Sequence, residues 1–564
     1  MMETWEEAAR RHRAGEVVEA SRVYRRVLET QPDNAQVLHL LGVAEFQMGR
    51  PADAEPLVRR AIAVLGDDAR FHNTLANILV ATGRPEEAER CLARAVALAP
   101  QAPDLAVNHA AVLTDLGRPA EAEAVCLALL ARVPGHPGAL AQLGAARIQL
   151  GRYREAAETF GHGVALGHDA VTFNVNRASA LELANDLPGA EAAVEAALAA
   201  AAPAVPGPVM LMRGKLRFRA GRLEEALADL ALAEPALTAD RDRAELLSVR
   251  GLACDKLKRW GDAFAAFTAG NRLRAALPKS RVHDGDRFLA RCAERLAQVR
   301  RLPPAAPSSP AAVADPRDAP IFFVGFPRSG TTLMETVLAA HPGVTTTSER
   351  SPLNAVAARL GGRDPLLLGA AELPALRALF HAETERVVGP LGGRRLVDKL
   401  PLNILDLGLA QALFPAGRVL MALRDPRDCV LSCFMQGFQP NDAMVNFLDL
   451  ERAARTYAAV MEIWLAERRA LRLPWMEYRY EDLASDFDPT VRAVLDFTGL
   501  GWHDDLARYA DKARGRDINT PSYREVLRPV DRRAVGRWRP YAEALAPVLP
   551  VLAPFAAAFG YEAA

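Results

Sequence analysis

A 34-residue period governs the first half of this 564-residue chain. In successive blocks of 34 from Met1, the eighth residue is Ala8, Gly42, Ala76, Ala110, Gly144 and Ala178. The twentieth is Ala20, Ala54, Ala88, Ala122, Ala156 and Ala190, and the fifteenth is Gly15, Gly49, Gly83, Gly117, Gly151 and Asn185. After a short insertion the pattern resumes with Gly214, Gly221 and Ala226, and once more with Gly251, Ala263 and Phe267. Small residues at two fixed positions let two antiparallel helices approach closely. Glycine at the fifteenth ends the first helix, where a left-handed residue is easiest. Tyr24, Leu92 and Phe160, at the twenty-fourth position, fill the space between pairs, and Pro32, Pro100 and Pro134 close blocks after the second helix.

The period and its small residues resemble the tetratricopeptide repeat, over about eight units from residue 1 to about 278. The resemblance implies an all-α solenoid with a continuous core and a concave groove for a peptide or protein partner. A spacer or dimerisation arm is the alternative. Asn77, Asn108 and Asn176 fall on first helices, which line the inner face in this family, and either bind an extended backbone or form a solvated polar face.

Composition narrows the rest. With 69 Lys plus Arg against 69 Asp plus Glu, nothing draws the whole chain to nucleic acid or anionic membrane. The six cysteines show no zinc spacing and fit a reducing compartment. The charged amino-terminal stretch has no apolar signal core. The apolar run from Ala544 to Gly560 is broken by Pro547, Pro550 and Pro554, so a buried terminal helix is expected there and no membrane span. These features predict a soluble, cytoplasmic protein.

Residues 279–301 read as a charged helix. Six prolines between Pro303 and Pro320 then read as a linker. The expected division is 1–278 repeats, 279–318 helix and linker, and 319–564 an α/β domain with a central parallel sheet. That domain opens with a strand at Ile321–Val324, a loop GFPRSGTT, and a helix from Thr331 to Ala340. Strand, glycine loop and helix form the setting in which backbone N–H groups hold a phosphate. The loop has the Gly-x4-Gly frame of a nucleotide-binding P-loop but Thr331 where that motif has lysine. Arg328 supplies the charge instead, with a planar fork suited to two oxygens of one anion. A second strand, Val419–Leu423, ends at Arg424, and Ser432 follows on the next helix. Carboxyl ends of strands are where such sheets bind ligands.

GFPRSGTTL followed by RVLMALRDPRDCVLSCF resembles the two cofactor-binding motifs of sulfotransferases that use 3′-phosphoadenosine 5′-phosphosulfate (PAPS). Further matches, PRSGTTLMETVLAAHPGVTTTSER, VDKLP, YRYEDL and PSYREVLRPVD, resemble the protein-tyrosine sulfotransferase branch over residues 319–560. The resemblance implies sulfuryl transfer to a hydroxyl acceptor, a protein tyrosine among the candidates, with no metal required. Arg328, Ser329, Gly330, Thr331 and Thr332 would hold the phosphosulfate, and Lys399 would stabilise the leaving phosphate. Arg424 and Ser432 would hold the 3′-phosphate, and Glu349 would be the base. Tyr480, Ser522 and Arg528 match positions that contact the rest of the nucleotide.

Each residue has a plainer reading. Lys399 is a surface lysine paired with Asp398; Glu349 is an exposed loop carboxylate; Arg424 pairs with Asp425 or Asp428; Tyr480 is strand core. His341 is the chemically tempting alternative base. At the level of function the alternatives are a P-loop kinase or nucleotide hydrolase, and a non-enzymatic repeat scaffold.

Overall fold

The structure, a computed structural model, describes residues 4–306, 315–513 and 531–562. They form two compact units, Met1–Ala253 with Ala276–Val282, and Cys254–Ala275 with His283–Ala564.

The first unit is a run of antiparallel helix pairs, from Trp5–Arg13 with Val17–Thr30 to Gly207–Arg219 with Leu223–Ala233. The turn inside each of the first six pairs falls on the fifteenth position of its block. Gly15, Gly49, Gly83, Gly117 and Gly151 have φ between +70° and +95°, and Asn185 takes the same left-handed turn at +62°. Asparagine is the substitute that this conformation tolerates best. The eighth position is equally constrained: a Cβ on Gly144 would lie 2.3 Å from the Phe160 ring. Tyr24, Leu92 and Phe160 are buried between pairs as expected. Polar side chains of the first helices meet from one repeat to the next. His39 Nε2 lies 2.8 Å from Thr74 Oγ1, and Asn108 Nδ2 donates to Asn73 Oδ1 at 3.0 Å. One amide hydrogen bond of Asn108 is thus spent inside the array, whereas Asn77 is exposed. Trp260–Ala276, the last helix of the periodic stretch, belongs to the second unit, where Asn271 Nδ2 donates to the Phe434 carbonyl at 2.8 Å.

The second unit is built on five strands: β1 Ile321–Gly325, β2 Val344–Thr346, β3 Arg395–Lys399, β4 Arg418–Leu423 and β5 Trp475–Arg479. Their order is β2-β3-β1-β4-β5, and every pairing is parallel. Parallel neighbours need crossover connections that cover both faces, so the central strands are apolar on both sides. All five residues of β1 are buried. One face packs Ile321, Phe323, Val397, Leu420 and Tyr478 against the helices Thr331–Ala340 and Phe487–Thr498. The helix Gly285–Arg300 also belongs to this unit, through a buried ion pair of 2.6 Å between Arg295 and Glu467. The carboxyl-terminal apolar run forms two short helices, Ala542–Leu545 and Leu549–Ala558, with Leu545, Leu552 and Phe555 buried. Among the described residues no helix is long and apolar enough to cross a membrane.

Candidate active site

Because the strands are all parallel, their carboxyl ends share one edge of the sheet, and each end carries residues singled out from the sequence. In spatial order these are Glu349 after β2, Lys399 at the end of β3, the loop Phe326–Gly330 after β1, Arg424 after β4 and Tyr480 after β5. The chain leaves β1 toward β2 on one side and later fills β4 on the other. The loop therefore sits where the strand order reverses, the place open α/β sheets reserve for ligands.

The loop is shaped for close approach. Gly330 has φ +90°, and a Cβ there would lie 2.5 Å from the Tyr480 ring. Arg328 is also left-handed, at φ +69°. Ser329 Oγ is buried with no hydrogen-bond partner among the described residues, although a buried hydroxyl almost always has one. Thr331 and Thr332 open the following helix, so the loop offers an orphaned hydroxyl beside a helix amino terminus, which suits an oxyanion. Gly330→Ala adds both backbone strain and a collision. Its expected result is a stability loss of about 1–3 kcal/mol, read by thermal melts.

On the β4 side the two arginines meet. Arg424 Nη1 donates to the Arg328 carbonyl at 2.9 Å, and Arg328 Nε donates to Ser432 Oγ at 3.0 Å. Arg424 also donates to the Ala534 carbonyl at 2.5 Å, lies 4.9 Å over the Tyr480 ring and stays 4.0 Å from Asp428. Its Nε is buried without a partner among the described residues. Of the two neighbouring aspartates, Asp428 thus pairs with it, loosely, beside these shorter hydrogen bonds. Asp425 instead takes Arg427, at 2.7 Å. Asp428 accepts the backbone N–H groups of Gly536 and Trp538 at 2.7 and 2.8 Å, fastening the carboxyl-terminal segment beside Arg424. Tyr480 is not strand core. It opens the short helix Tyr480–Ser485. Ser522 and Arg528 lie outside the described residues. Burial pushes the thiols of Cys429 and Cys433 well up, so neither is poised as a thiolate nucleophile.

On the β3 side Lys399 is fully buried. Its Nζ lies 2.6 Å from Glu349 Oε1 and 2.9 Å from Glu335 Oε2. The expected alternative, a surface lysine paired with Asp398, fails for a geometric reason: adjacent residues on a strand face opposite sides. Asp398 instead accepts hydrogen bonds from Thr347 Oγ1 at 3.2 Å and Ser351 Oγ at 2.9 Å. Glu349, 35% exposed, stands at the mouth of this cluster. His341 is at the other end of β2, and both its ring nitrogens serve the backbone: Nε2 lies 3.1 Å from the Gly501 carbonyl, and Nδ1 accepts from the Gly343 N–H at 3.0 Å.

Burial pushes the Asp398 carboxyl up to about 6, against the hydrogen bonds from Ser351 and Thr347. Its folded pKa thus lies above the unfolded value of roughly 4. The stability this proton linkage provides is complete below the unfolded pKa and is lost as pH rises through the folded one. The unfolding free energy of the wild type minus that of Asp398→Asn should therefore grow by about 2–3 kcal/mol between pH 7 and pH 4. Urea titrations at the two pH values check this, and a flat difference contradicts it.

Glu335 is the residue that sequence reasoning missed. Its signal was present: it is the lone charge in the helix Thr331–Ala340, all of whose residues are buried. Lys399 had a stronger signal than its motif alone, because the chain has only six lysines among its 69 basic residues. A sequence that otherwise uses arginine places a compact cation at a fully buried strand end.

Comparison with known proteins agrees with this architecture. Residues 320–504 match the family model described as the sulfotransferase family, and residues 12–78, 46–112 and 142–206 match models of the tetratricopeptide repeat. An uncharacterized protein of Aquifex aeolicus is 29% identical over 252 residues, 42% of this chain and 32% of its own length. Protein-tyrosine sulfotransferase 2 of Gallus gallus is 28% identical over 243 residues, 39% of this chain and 64% of its own length. The chain thus spans less than two thirds of either relative. Among solved structures, a tetratricopeptide repeat protein of Parabacteroides merdae aligns with 43% of this chain and 95% of its own at 16% identity, with a TM-score of 0.38. The chain thus joins residues that match models of the tetratricopeptide repeat to residues that match the sulfotransferase family model.

Proposed function

We propose that this protein transfers a sulfuryl group from PAPS to a hydroxyl acceptor, and that the repeat array recruits the acceptor or a partner that carries it. The observation behind this reading is the convergence of three groups on one sheet edge: a phosphate loop with an orphaned serine hydroxyl, an arginine pair on one side and a buried lysine–glutamate pair on the other.

In this reading the loop Arg328–Thr332 takes the phosphosulfate, and Arg424 with Ser432 takes the 3′-phosphate. Tyr480 borders the nucleotide, and the resemblance implies nucleotide contacts for Ser522 and Arg528, which lie outside the described residues. Glu349 accepts the proton of the acceptor hydroxyl as its oxygen forms the new O–S bond. The bond between sulfur and the bridging oxygen breaks, and its electron pair goes to the 5′-phosphate. The Lys399 ammonium meets that developing charge, the kind of fixed electrostatic stabilisation that dominates such transfers. The products are a sulfate ester and adenosine 3′,5′-bisphosphate. The relatives' tyrosine acceptor makes peptide tyrosine the first acceptor to try.

Incubation with 35S-labelled donor and peptide pools tests the transfer, and a thermal-shift comparison tests the donor site. Stabilisation by adenosine 3′,5′-bisphosphate without magnesium is expected, by a few kcal/mol at hundredfold excess over Kd. Tighter magnesium-dependent ATP binding would favour a kinase or hydrolase instead. Neither label transfer nor bisphosphate binding would leave a scaffold.

A further inference from the structure

The chemistry just proposed uses Glu349 and Lys399 and leaves the third charge of their cluster without a task. Glu335 is 5% exposed, and burial holds its carboxyl above the ordinary range while the Lys399 ammonium pulls it back. Lys399 already has Glu349 at 2.6 Å, so local neutrality does not call for a second carboxylate. Keeping one at this depth is costly unless it is paired and hydrogen-bonded. Both oxygens are in fact engaged, and with different elements. Oε2 lies 2.9 Å from Lys399 Nζ, and Oε1 accepts the backbone N–H of Ser348 at 3.0 Å. Ser348 and Glu349 form a left-handed turn, with φ +48° and +69°. Non-glycine residues hold such conformations only where the surroundings fix them.

We infer that Glu335 is a positioning residue for sulfuryl transfer, holding Lys399 through one oxygen and the turn that presents Glu349 through the other. The inference rests on the sulfotransferase reading of the same site. In the structure Lys399 and Glu349 neutralise each other. For Glu349 to accept a proton and Lys399 to meet the departing phosphate, that pair must part. Glu335 is the counter-charge that stays with the lysine when it does. It also anchors both groups to the helix that begins at the phosphate loop, so that base, lysine and loop share one rigid element.

The test compares full-length wild type, Glu335→Gln, Glu335→Asp, Lys399→Ala and the double variant Glu335→Gln/Lys399→Ala. Two quantities are read: calorimetric affinity for adenosine 3′,5′-bisphosphate, and release of bisphosphate from PAPS, counting transfer to peptide hydroxyls and to water together. Glutamine keeps the acceptor for Ser348 and removes the charge facing Lys399. Glu335→Gln should lower kcat about 100-fold with bisphosphate affinity and donor KM within about twofold of wild type. Because it acts through Lys399, adding it to Lys399→Ala should change kcat by less than about threefold. Glu335→Asp keeps the charge but is one methylene too short to reach both partners, and should lose at least about tenfold in kcat. It carries the same comparison should the glutamine variant prove unstable. Wild-type kcat in either folded variant, or a Glu335→Gln loss undiminished in the Lys399→Ala background, overturns the inference. A wild-type chain that neither binds bisphosphate nor turns over PAPS overturns the sulfotransferase reading, and the inference with it.

Discussion

Lys399→Ala should lower kcat by about 10²–10³ while leaving the affinity for adenosine 3′,5′-bisphosphate nearly intact. The ammonium is fully buried and lies within 2.9 Å of two carboxylates. A charge fixed in a water-poor site is worth most where charge develops during reaction, and the departing phosphate is where it develops in sulfuryl transfer. The same substitution should cost about 3–5 kcal/mol of stability, because it strands Glu335 in the interior without its partner. The two effects separate cleanly. Adding Glu335→Gln to Lys399→Ala should return a large part of the lost stability and none of the lost rate. Urea denaturation and initial rates on wild type, Glu335→Gln, Lys399→Ala and the double variant measure both. Wild-type rates in folded Lys399→Ala would remove the lysine from the chemistry.

Arg424→Gln should weaken bisphosphate binding by about 10²-fold, the larger share of what charge-assisted bonds to one phosphate supply. The guanidinium is 6% exposed and joins three elements, through the Arg328 carbonyl, the Ala534 carbonyl and the Tyr480 ring. On the proposed reading its loss therefore removes a phosphate ligand and loosens the loop assigned to the other end of the nucleotide. Arg424→Lys should recover little, because an ammonium cannot span these acceptors in one plane. Ser432→Ala should cost only about fivefold, as a neutral hydrogen bond does. Calorimetry at two salt concentrations completes the test, since the wild type should lose more affinity with added salt than Arg424→Gln. Equal salt dependence would place the 3′-phosphate elsewhere.

Local features were legible wherever one residue type answers one backbone need. The glycines at every thirty-fourth residue marked the left-handed turns, and Asn185 marked the turn where glycine was replaced. The helix after the phosphate loop begins and ends where the sequence placed it, at Thr331 and Ala340. Strand β4 ends at Leu423, so Arg424 stands at the carboxyl edge as expected. Partners across the fold were not legible. Asp398 next to Lys399 invited a pairing that strand alternation forbids, while the lysine's partners lie 50 and 64 positions away, at Glu349 and Glu335. Asp428 does pair with Arg424 at 4.0 Å, but its shorter hydrogen bonds, from the backbone of Gly536 and Trp538 more than a hundred positions away, could not be read from the sequence.

The sequence by itself determined the repeat array, the glycine loop between strand and helix, and the identity of the charged residues at the strand ends, because periodicity, glycine placement and strand–loop–helix order are properties of short stretches of chain. Only the tertiary structure decided which charges share one edge of the sheet. Parallel strand order brings Glu349, Lys399, Arg328, Arg424 and Tyr480 to one edge, and burial turns Glu335 from an odd residue in an apolar helix into the link between Lys399 and the turn that carries Glu349. Electrostatic partnership depends on distance and solvent exclusion, and neither is a property of neighbours in sequence.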